Sequence, residues 1–109
     1  MMLRTAKQRK SLCTECPIAR AADIVGDSCS LLIVRDLLTG EKRFSELENS
    51  LSGISSRTLA NKLKNLEKVK LLVRKQYKNP VRVEYSLTKK GTALRTVMNA
   101  MRSYGSKHL

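Results

Sequence analysis

A group of polar side chains recurs every three or four residues between positions 57 and 68. Its members are three cations and one amide, with no carboxylate among them: Arg57, Asn61, Lys64 and Lys68. On a helix they would lie roughly 140–200° from Leu59, whose apolar stripe is continued by Leu63 and Leu66. Arginine binds guanine and asparagine binds adenine through paired hydrogen bonds in the major groove, whereas lysine pairs with phosphate. The spacing therefore predicts a helix that packs on one side and reads double-stranded DNA with the other.

Residues around this helix are further candidates for DNA contact. Ser55 is the predicted N-cap, an arrangement that leaves N–H groups of the first turn available to a phosphate oxygen. The other predicted DNA-binding residues lie on the flanks of this helix, ahead of it or after it in the chain: Ser56, Thr58, Lys62, Asn65, Arg43, Lys78 and Arg82. A merely solvated face is the alternative, but such faces usually mix signs, and the only acid of this helix, Glu67, lies on its flank.

The charge of the chain is high and unevenly distributed. Its 22 Lys and Arg residues outnumber 9 Asp and Glu residues, for a net charge of +13. Positions 57–95 hold 12 basic and 2 acidic residues, whereas positions 11–50 hold 4 basic and 7 acidic residues. A positive second half indicates a polyanion as partner. A basic RNA- or ribosome-associated protein is the alternative, although RNA-binding modules usually expose aromatic side chains and this chain has only three tyrosines and one phenylalanine.

Features typical of enzymes and of membrane proteins are missing from the sequence. The single histidine, His108, lies in the tail, and there is no phosphate-binding glycine loop, so we expect neither catalysis nor a cofactor. No segment approaches the roughly 20 apolar residues of a membrane span, and no apolar region follows the basic start. We therefore expect a cytoplasmic protein with no membrane partner.

Three helices are predicted before the helix that carries Arg57 to Lys68. Pro17 suits the first turn of the first of them. A second, core helix should begin with Ser28 as N-cap and stop at Gly40. A short extended stretch then leads to a third helix, in which Ser45 and Glu48 match the capping-box pattern.

A hairpin and a last helix are predicted after the helix that carries Arg57 to Lys68. Two strands lie on either side of Asn79–Pro80, which marks the hairpin tip, and Thr88 should cap the last helix. The fold class is α+β and mainly α, a winged helix-turn-helix with additional N- and C-terminal helices that form a dimer interface. Residues 1–12 should be a basic flexible arm, and residues 13–109 a winged helix DNA-binding domain with a C-terminal dimerisation helix. The predicted interface residues are Ile18, Leu94, Val97, Met98, Met101 and Tyr104.

Three motifs, in the right order and at the right separations, carry a resemblance to a known family. They are RFSEL, GISSRTLANKLKNLE and RVEYSLT. From about Cys16 to Tyr104 the chain resembles the HxlR-type family of winged helix-turn-helix transcriptional regulators. The resemblance implies a sequence-specific regulator that binds a palindromic operator as a homodimer and often responds to a small molecule or an oxidant. The chain departs from the family at Asp27-Ser28-Cys29, where Gly-Lys-Trp is usual, and at Lys68-Val69-Lys70, where an acid and a glycine are usual.

The chain has three cysteines, an odd number that does not make a disulfide framework, and this favours a reducing compartment. Cys13 and Cys16 form a C-x-x-C pair, which supplies only two of the four ligands of a structural zinc site, so no metal site is predicted. Cys16 should start a helix, where the helix dipole and Arg20 favour the thiolate and Glu15 opposes it, and Cys13 could act as a resolving thiol. Some members of the family sense oxidants or electrophiles at the Cys-Pro pair that falls at Cys16-Pro17. Packing of an inert thiol is the alternative reading.

Overall fold

The two N-terminal helices contribute Val25, Ile33 and Leu37 to the core. The computed structural model describes residues 16–109, so the predicted arm and Cys13 lie outside the described residues. Helix α1 spans Pro17–Val25 and α2 spans Ser28–Leu37. The predicted N-cap of α2 was wrong by one residue, because the Asp27 carboxylate accepts the hydrogen bond of the Ser30 N–H at 3.1 Å and Ser28 is already helical.

The helix-turn-helix consists of α3, Phe44–Ser50, and α4, Ser56–Lys68. Ser55 is the N-cap of α4, as predicted, and its hydroxyl accepts from the Thr58 N–H at 3.1 Å. The predicted capping box of α3 was displaced by two residues, since Arg43 is the N-cap and its N–H donates to Glu46 Oε1 at 2.8 Å. The N-cap of α3 follows directly on Lys42, whose backbone pairs with that of Tyr85 in an isolated β-bridge.

The wing is an antiparallel hairpin formed by β1, Leu72–Tyr77, and β2, Arg82–Leu87. Its turn, residues 78–81, contains the predicted tip at Asn79–Pro80. A third, one-residue strand joins β2 on its other side, where Lys42 and Tyr85 exchange backbone hydrogen bonds of 3.1 and 2.8 Å.

The C-terminal segment forms two helices where the sequence predicts one. Thr88 caps a single turn, α5 (Lys89–Thr92), and after Ala93 and Leu94 the chain continues as α6, Arg95–His108. The break arises because α5 docks on the end of α4: a Cβ on Gly91 would lie 2.1 Å from the Leu71 carbonyl oxygen, and the Thr88 hydroxyl donates to the Lys70 carbonyl at 2.7 Å. Close packing against a distant segment therefore decides where the last helix begins.

One apolar cluster holds these elements together. It takes buried side chains from α1, α2, α3, α4 and the start of the wing: Val25, Ile33, Leu37, Leu47, Leu51, Leu59, Leu63, Leu66, Leu71 and Leu72. The predicted fold class, a mainly helical winged helix-turn-helix, is confirmed. Within residues 16–109 no helix has the length and apolarity that crossing a membrane requires.

Candidate nucleic-acid interface

Helix α4 has one buried face and one fully exposed face. Leu59, Leu63 and Leu66 are buried in the core. The opposite face is exposed and makes no hydrogen bond or ion pair with the part of the chain that the structure describes; it carries Arg57, Asn61, Lys64 and Lys68. Three cations and an amide without local partners are thus held in one row by a helix anchored through its leucines.

The first turn of α4 uses its own hydroxyl groups to hold the turn in place. The Ser55 hydroxyl accepts from the Thr58 N–H and donates to Thr58 Oγ1 at 2.9 Å. The Ser56 hydroxyl donates to Glu48 of α3, which ties the two helices of the motif together. These three predicted DNA-binding residues lie at the N-terminal end of α4, as expected. The hydroxyls of Ser55 and Thr58, however, already form hydrogen bonds within the first turn.

Lys62 does not belong to the exposed face. Its Nζ lies 3.2 Å from Asp27 Oδ2 and its side chain is only 15% exposed, so the ammonium group faces the N-cap of α2. Burial opposes ionisation of Asp27, but hydrogen bonds from Ser30 and Lys62 outweigh it and hold the pKa of this carboxyl below its ordinary value. Lys62 thus joins α4 to α2 and lies apart from the exposed row, and DNA contact by Lys62 stays a prediction.

Two wing residues predicted to bind DNA differ in their surroundings. Lys78 lies exposed in the turn, without a partner among residues 16–109. Arg82 is half-buried: its guanidinium lies 4.5 Å from the centre of the Tyr77 ring, and its Nε donates to Glu84 at 2.9 Å. Arg82 therefore stabilises the wing, whereas Lys78 is the free cation at its tip.

The sequence did not point to Glu41, which connects the wing to the loop before α3. Its carboxylate accepts from the Tyr77 hydroxyl, at 2.9 and 3.0 Å from its two oxygens, and from Lys75 Nζ at 3.1 Å. These hydrogen bonds, first from Tyr77 and then from Lys75, hold the pKa of Glu41 below its ordinary value. The bond to Glu41 in turn raises the pKa of both Tyr77 and Lys75. No local pattern could reveal this contact, because the partners lie far apart in the sequence.

Arg43 and Asn65 complete the predicted set. Arg43 is exposed at the start of α3, and Asn65 is half-buried on the flank of α4. The exposed residues of the predicted set are thus Arg43, Ser55, Ser56, Arg57, Thr58, Asn61, Lys64, Lys68 and Lys78.

The two described cysteines lie in different environments. Cys16 is exposed at the start of α1, and its Sγ accepts from the Ala19 N–H at 3.4 Å. Cys29 is half-buried, and burial, together with the Asp27 carboxylate, raises the pKa of its thiol while Lys62 acts in the opposite direction. Among residues 16–109, no three His, Cys, Asp or Glu side chains cluster as metal ligands would.

A family model described as the HxlR-like helix-turn-helix matches residues 24–109. The chain belongs to this family. It is 38% identical over 95 residues to the HTH-type transcriptional regulator sll1512 of Synechocystis sp., covering 86% of this chain and 70% of the relative. It is 36% identical over 96 residues to the HTH-type transcriptional regulator YodB of Bacillus subtilis, covering 86% of each. The chain is accordingly a DNA-binding transcriptional regulator.

Solved structures of two redox-related regulators share the fold of this HxlR-like chain. Reduced YodB matches with a TM-score of 0.75 and 36% identity, over 85% of this chain and 93% of YodB. The redox regulator HypR in its reduced form matches with a TM-score of 0.78 and 30% identity, over 83% of this chain and 90% of HypR. YodB has also been solved bound to quinone and after diamide treatment, and HypR in an oxidised form.

The terminal helices of the HxlR-like chain expose apolar side chains. Ile18 of α1 is 82% exposed and Tyr104 of α6 is 62% exposed, and Val97 and Met101 are also exposed. Met98 is only 8% exposed, and Leu94 is half-buried against the core, so both of these predicted interface residues already pack within the protomer.

Proposed function

We propose that this regulator binds a palindromic operator as a homodimer, with α4 of each protomer in a major groove. In this arrangement Arg57 and Asn61 contact base edges, while Lys64 and Lys68 contact phosphates. The observation that carries the proposal is the exposed row of cations and amide on α4, opposite three buried leucines and without local partners. Lys78 of the wing and Arg43 before α3 would contact the flanking backbone.

The homodimer is proposed to form through the terminal helices. From Asn99 to Leu109 every residue except Gly105 is exposed, so neither face of this part of α6 is buried in the protomer. A helix of this length is only marginally stable in water unless one of its faces is covered. In the dimer, the terminal helices of a second copy would cover these exposed apolar side chains: Ile18, Val97, Met101 and Tyr104. A two-fold dimer would place its recognition helices about 34–36 Å apart, in successive major grooves.

The test is a selection of bound sequences from random duplex DNA, followed by titration of the selected duplex. Arg57→Ala or Asn61→Ala should weaken binding to the selected duplex by about 1–3 kcal/mol and broaden the base preference. Both variants should fold as the native chain does, because both side chains are exposed. Equal losses on the selected duplex and on random DNA would contradict base reading by this face.

The same titration separates the proposal from its alternative, an RNA- or ribosome-associated protein. Structured RNA of equal charge density is titrated beside the duplex while the salt concentration is raised. A groove reader keeps sequence-dependent affinity at salt concentrations that abolish purely electrostatic binding. Preference for the RNA at every salt concentration would favour the alternative.

We further propose that Cys16 senses oxidants in the reducing cytoplasm. The support is its exposure at the start of α1, its Sγ···N contact, and the redox-related forms in which HypR and YodB were solved. With a peroxide, the Cys16 thiol would be oxidised to a sulfenic acid as the O–O bond breaks and water leaves. A second thiol, for which Cys13 is the candidate, would then displace a second water and form a disulfide.

The redox proposal is tested by measuring DNA affinity before and after mild peroxide or diamide treatment. Native protein should change its affinity, Cys16→Ser should not, and Cys29→Ser should behave like native protein because the Cys29 thiol is half-buried with a raised pKa. Unchanged affinity in native protein whose Cys16 has reacted, as shown by loss of thiol labelling, would refute the sensor role.

A further inference from the structure

The outer end of the wing is attached to the body of the protein by one carboxylate. Glu41 lies between α2 and α3, and its two oxygens share the single hydrogen of the Tyr77 hydroxyl, at 2.9 and 3.0 Å. Lys75 Nζ donates to Oε1 at 3.1 Å. Tyr77 and Lys75 both belong to β1, so the carboxylate holds this strand at two points.

The second strand, β2, contacts the side chains that bind Glu41. Arg82, the first residue of β2, faces Tyr77, the last residue of β1, and its guanidinium lies over the Tyr77 ring. Glu84 accepts from Arg82 at 2.9 Å and stands opposite Lys75 in the strand register. Both strands are therefore attached to Glu41 at the base of the turn that carries Lys78.

Strand β1 is exposed along most of its length, whereas β2 is half-buried throughout. An isolated two-stranded hairpin is marginally stable in water. Residues 73–76 of β1 are exposed, and the bridge between Lys42 and Tyr85 lies nearer the inner end of β2. A carboxylate near a DNA-binding surface would also repel phosphate, unless donors occupy its oxygens as they do here.

We propose that Glu41 is a positioning residue for DNA binding, which holds the wing through Tyr77 and Lys75 so that Lys78 meets the DNA backbone while α4 occupies the major groove. The inference rests on the proposed function. If only a fraction of molecules had the wing in this orientation, the apparent affinity would fall to that fraction of its full value. Glu41 itself would touch no nucleotide.

The first measurement needs no DNA. Tyr77→Phe removes one hydroxyl and keeps both the ring beneath Arg82 and the net charge. Tyr85→Phe is the matched control, because the Tyr85 hydroxyl on β2 has no partner within the described chain. Amide hydrogen exchange across residues 76–83 should be faster in Tyr77→Phe and native-like in Tyr85→Phe. Glu41→Ala, which removes the acceptor, should reproduce the faster exchange. Native exchange in both Tyr77→Phe and Glu41→Ala would overturn the proposal.

The second measurement uses the duplex that the native chain selects from random DNA. Tyr77→Phe should bind it about threefold to tenfold more weakly, as expected if roughly a tenth to a third of the wings stay in place. Lys78→Ala should weaken binding less in the Tyr77→Phe background than in the native chain, whereas Arg57→Ala should have the same effect in both. A merely structural role for Tyr77 would not produce this selective coupling.

The outcomes separate the two proposals. Native affinity in Tyr77→Phe, or an equal effect of Lys78→Ala in both backgrounds, would overturn the positioning role while DNA binding stands. A native chain that selects no duplex would overturn the proposed function and the role of Glu41 in DNA binding with it. The exchange measurement would still show whether Glu41 anchors the wing.

Discussion

Replacing either of two lysines of α4, two positions apart, by alanine should affect a different property of the protein. Lys62 Nζ lies 3.2 Å from the carboxylate of Asp27 and its side chain is 15% exposed, whereas Lys64 is exposed with no partner in residues 16–109. We predict that Lys62→Ala lowers the free energy of unfolding and that Lys64→Ala weakens DNA binding. The lysines share a helix, a charge and a side-chain length, so each variant serves as the control for the other.

The expected loss in Lys62→Ala follows from what remains around Asp27. The buried carboxylate would keep its hydrogen bond from the Ser30 N–H but lose its ion-pair partner. Removing one partner of a charged hydrogen bond destabilises by about 1–3 kcal/mol. For a domain of this size, that lowers the melting temperature by on the order of 5–20 °C. Lys64→Ala should change the free energy of unfolding by less than about 0.5 kcal/mol and reduce the salt slope of DNA binding by about one unit.

The effect of Lys62→Ala should depend on pH through Asp27. The pKa of this carboxyl is lower in the folded protein than its ordinary value of 3.8. Its contribution to stability is therefore present above that ordinary value and is lost as the pH falls through the folded pKa. The difference in melting temperature between native protein and Lys62→Ala should be largest near neutral pH and should shrink below pH 3.8.

The assays are thermal unfolding followed by circular dichroism and DNA titration by fluorescence anisotropy at several salt concentrations. The reasoning is refuted if Lys62→Ala unfolds at the native temperature while reducing the salt slope by about one unit. That result would return Lys62 to the DNA-binding face and remove the ion pair with Asp27.

Two further pairs of variants test the packing of the C-terminal helices. Met101→Asp should dissociate the proposed dimer without unfolding the protomer, whereas Met98→Asp should unfold it, because Met98 is buried and Met101 is exposed. Sedimentation and thermal unfolding measure the two effects, and an undissociated Met101→Asp dimer would contradict the interface. Gly91→Ala should destabilise by about 1–3 kcal/mol, since its Cβ would lie 2.1 Å from the Leu71 carbonyl oxygen. Gly105→Ala, with nothing within 4 Å of its Cβ, should stabilise by about 0.5–1 kcal/mol, and equal effects at the two glycines would contradict the close packing of α5.

Local sequence signals determined the helix-turn-helix and the tip of the wing. The leucine spacing in α4, the Ser55 cap and the Asn79–Pro80 turn act over a few residues, so their outcome depends little on the rest of the chain. The same periodicity set Arg57, Asn61, Lys64 and Lys68 on one exposed face. The family could be recognised for a related reason, since three of its motifs are continuous in the chain.

Only the tertiary structure decided which polar and apolar residues are available for contact. Lys62 turns to Asp27, and Glu41 binds Tyr77 across segments that no sequence pattern connects. The last helix breaks at Ala93 and Leu94, just after Gly91 packs against Leu71, and this fold covers Met98 while it leaves Met101 exposed. Each outcome depends on the position of a partner that is distant in sequence, whereas periodicity describes only which face of an element a residue occupies. The local pattern therefore determined the elements, and packing between them decided the role of each side chain.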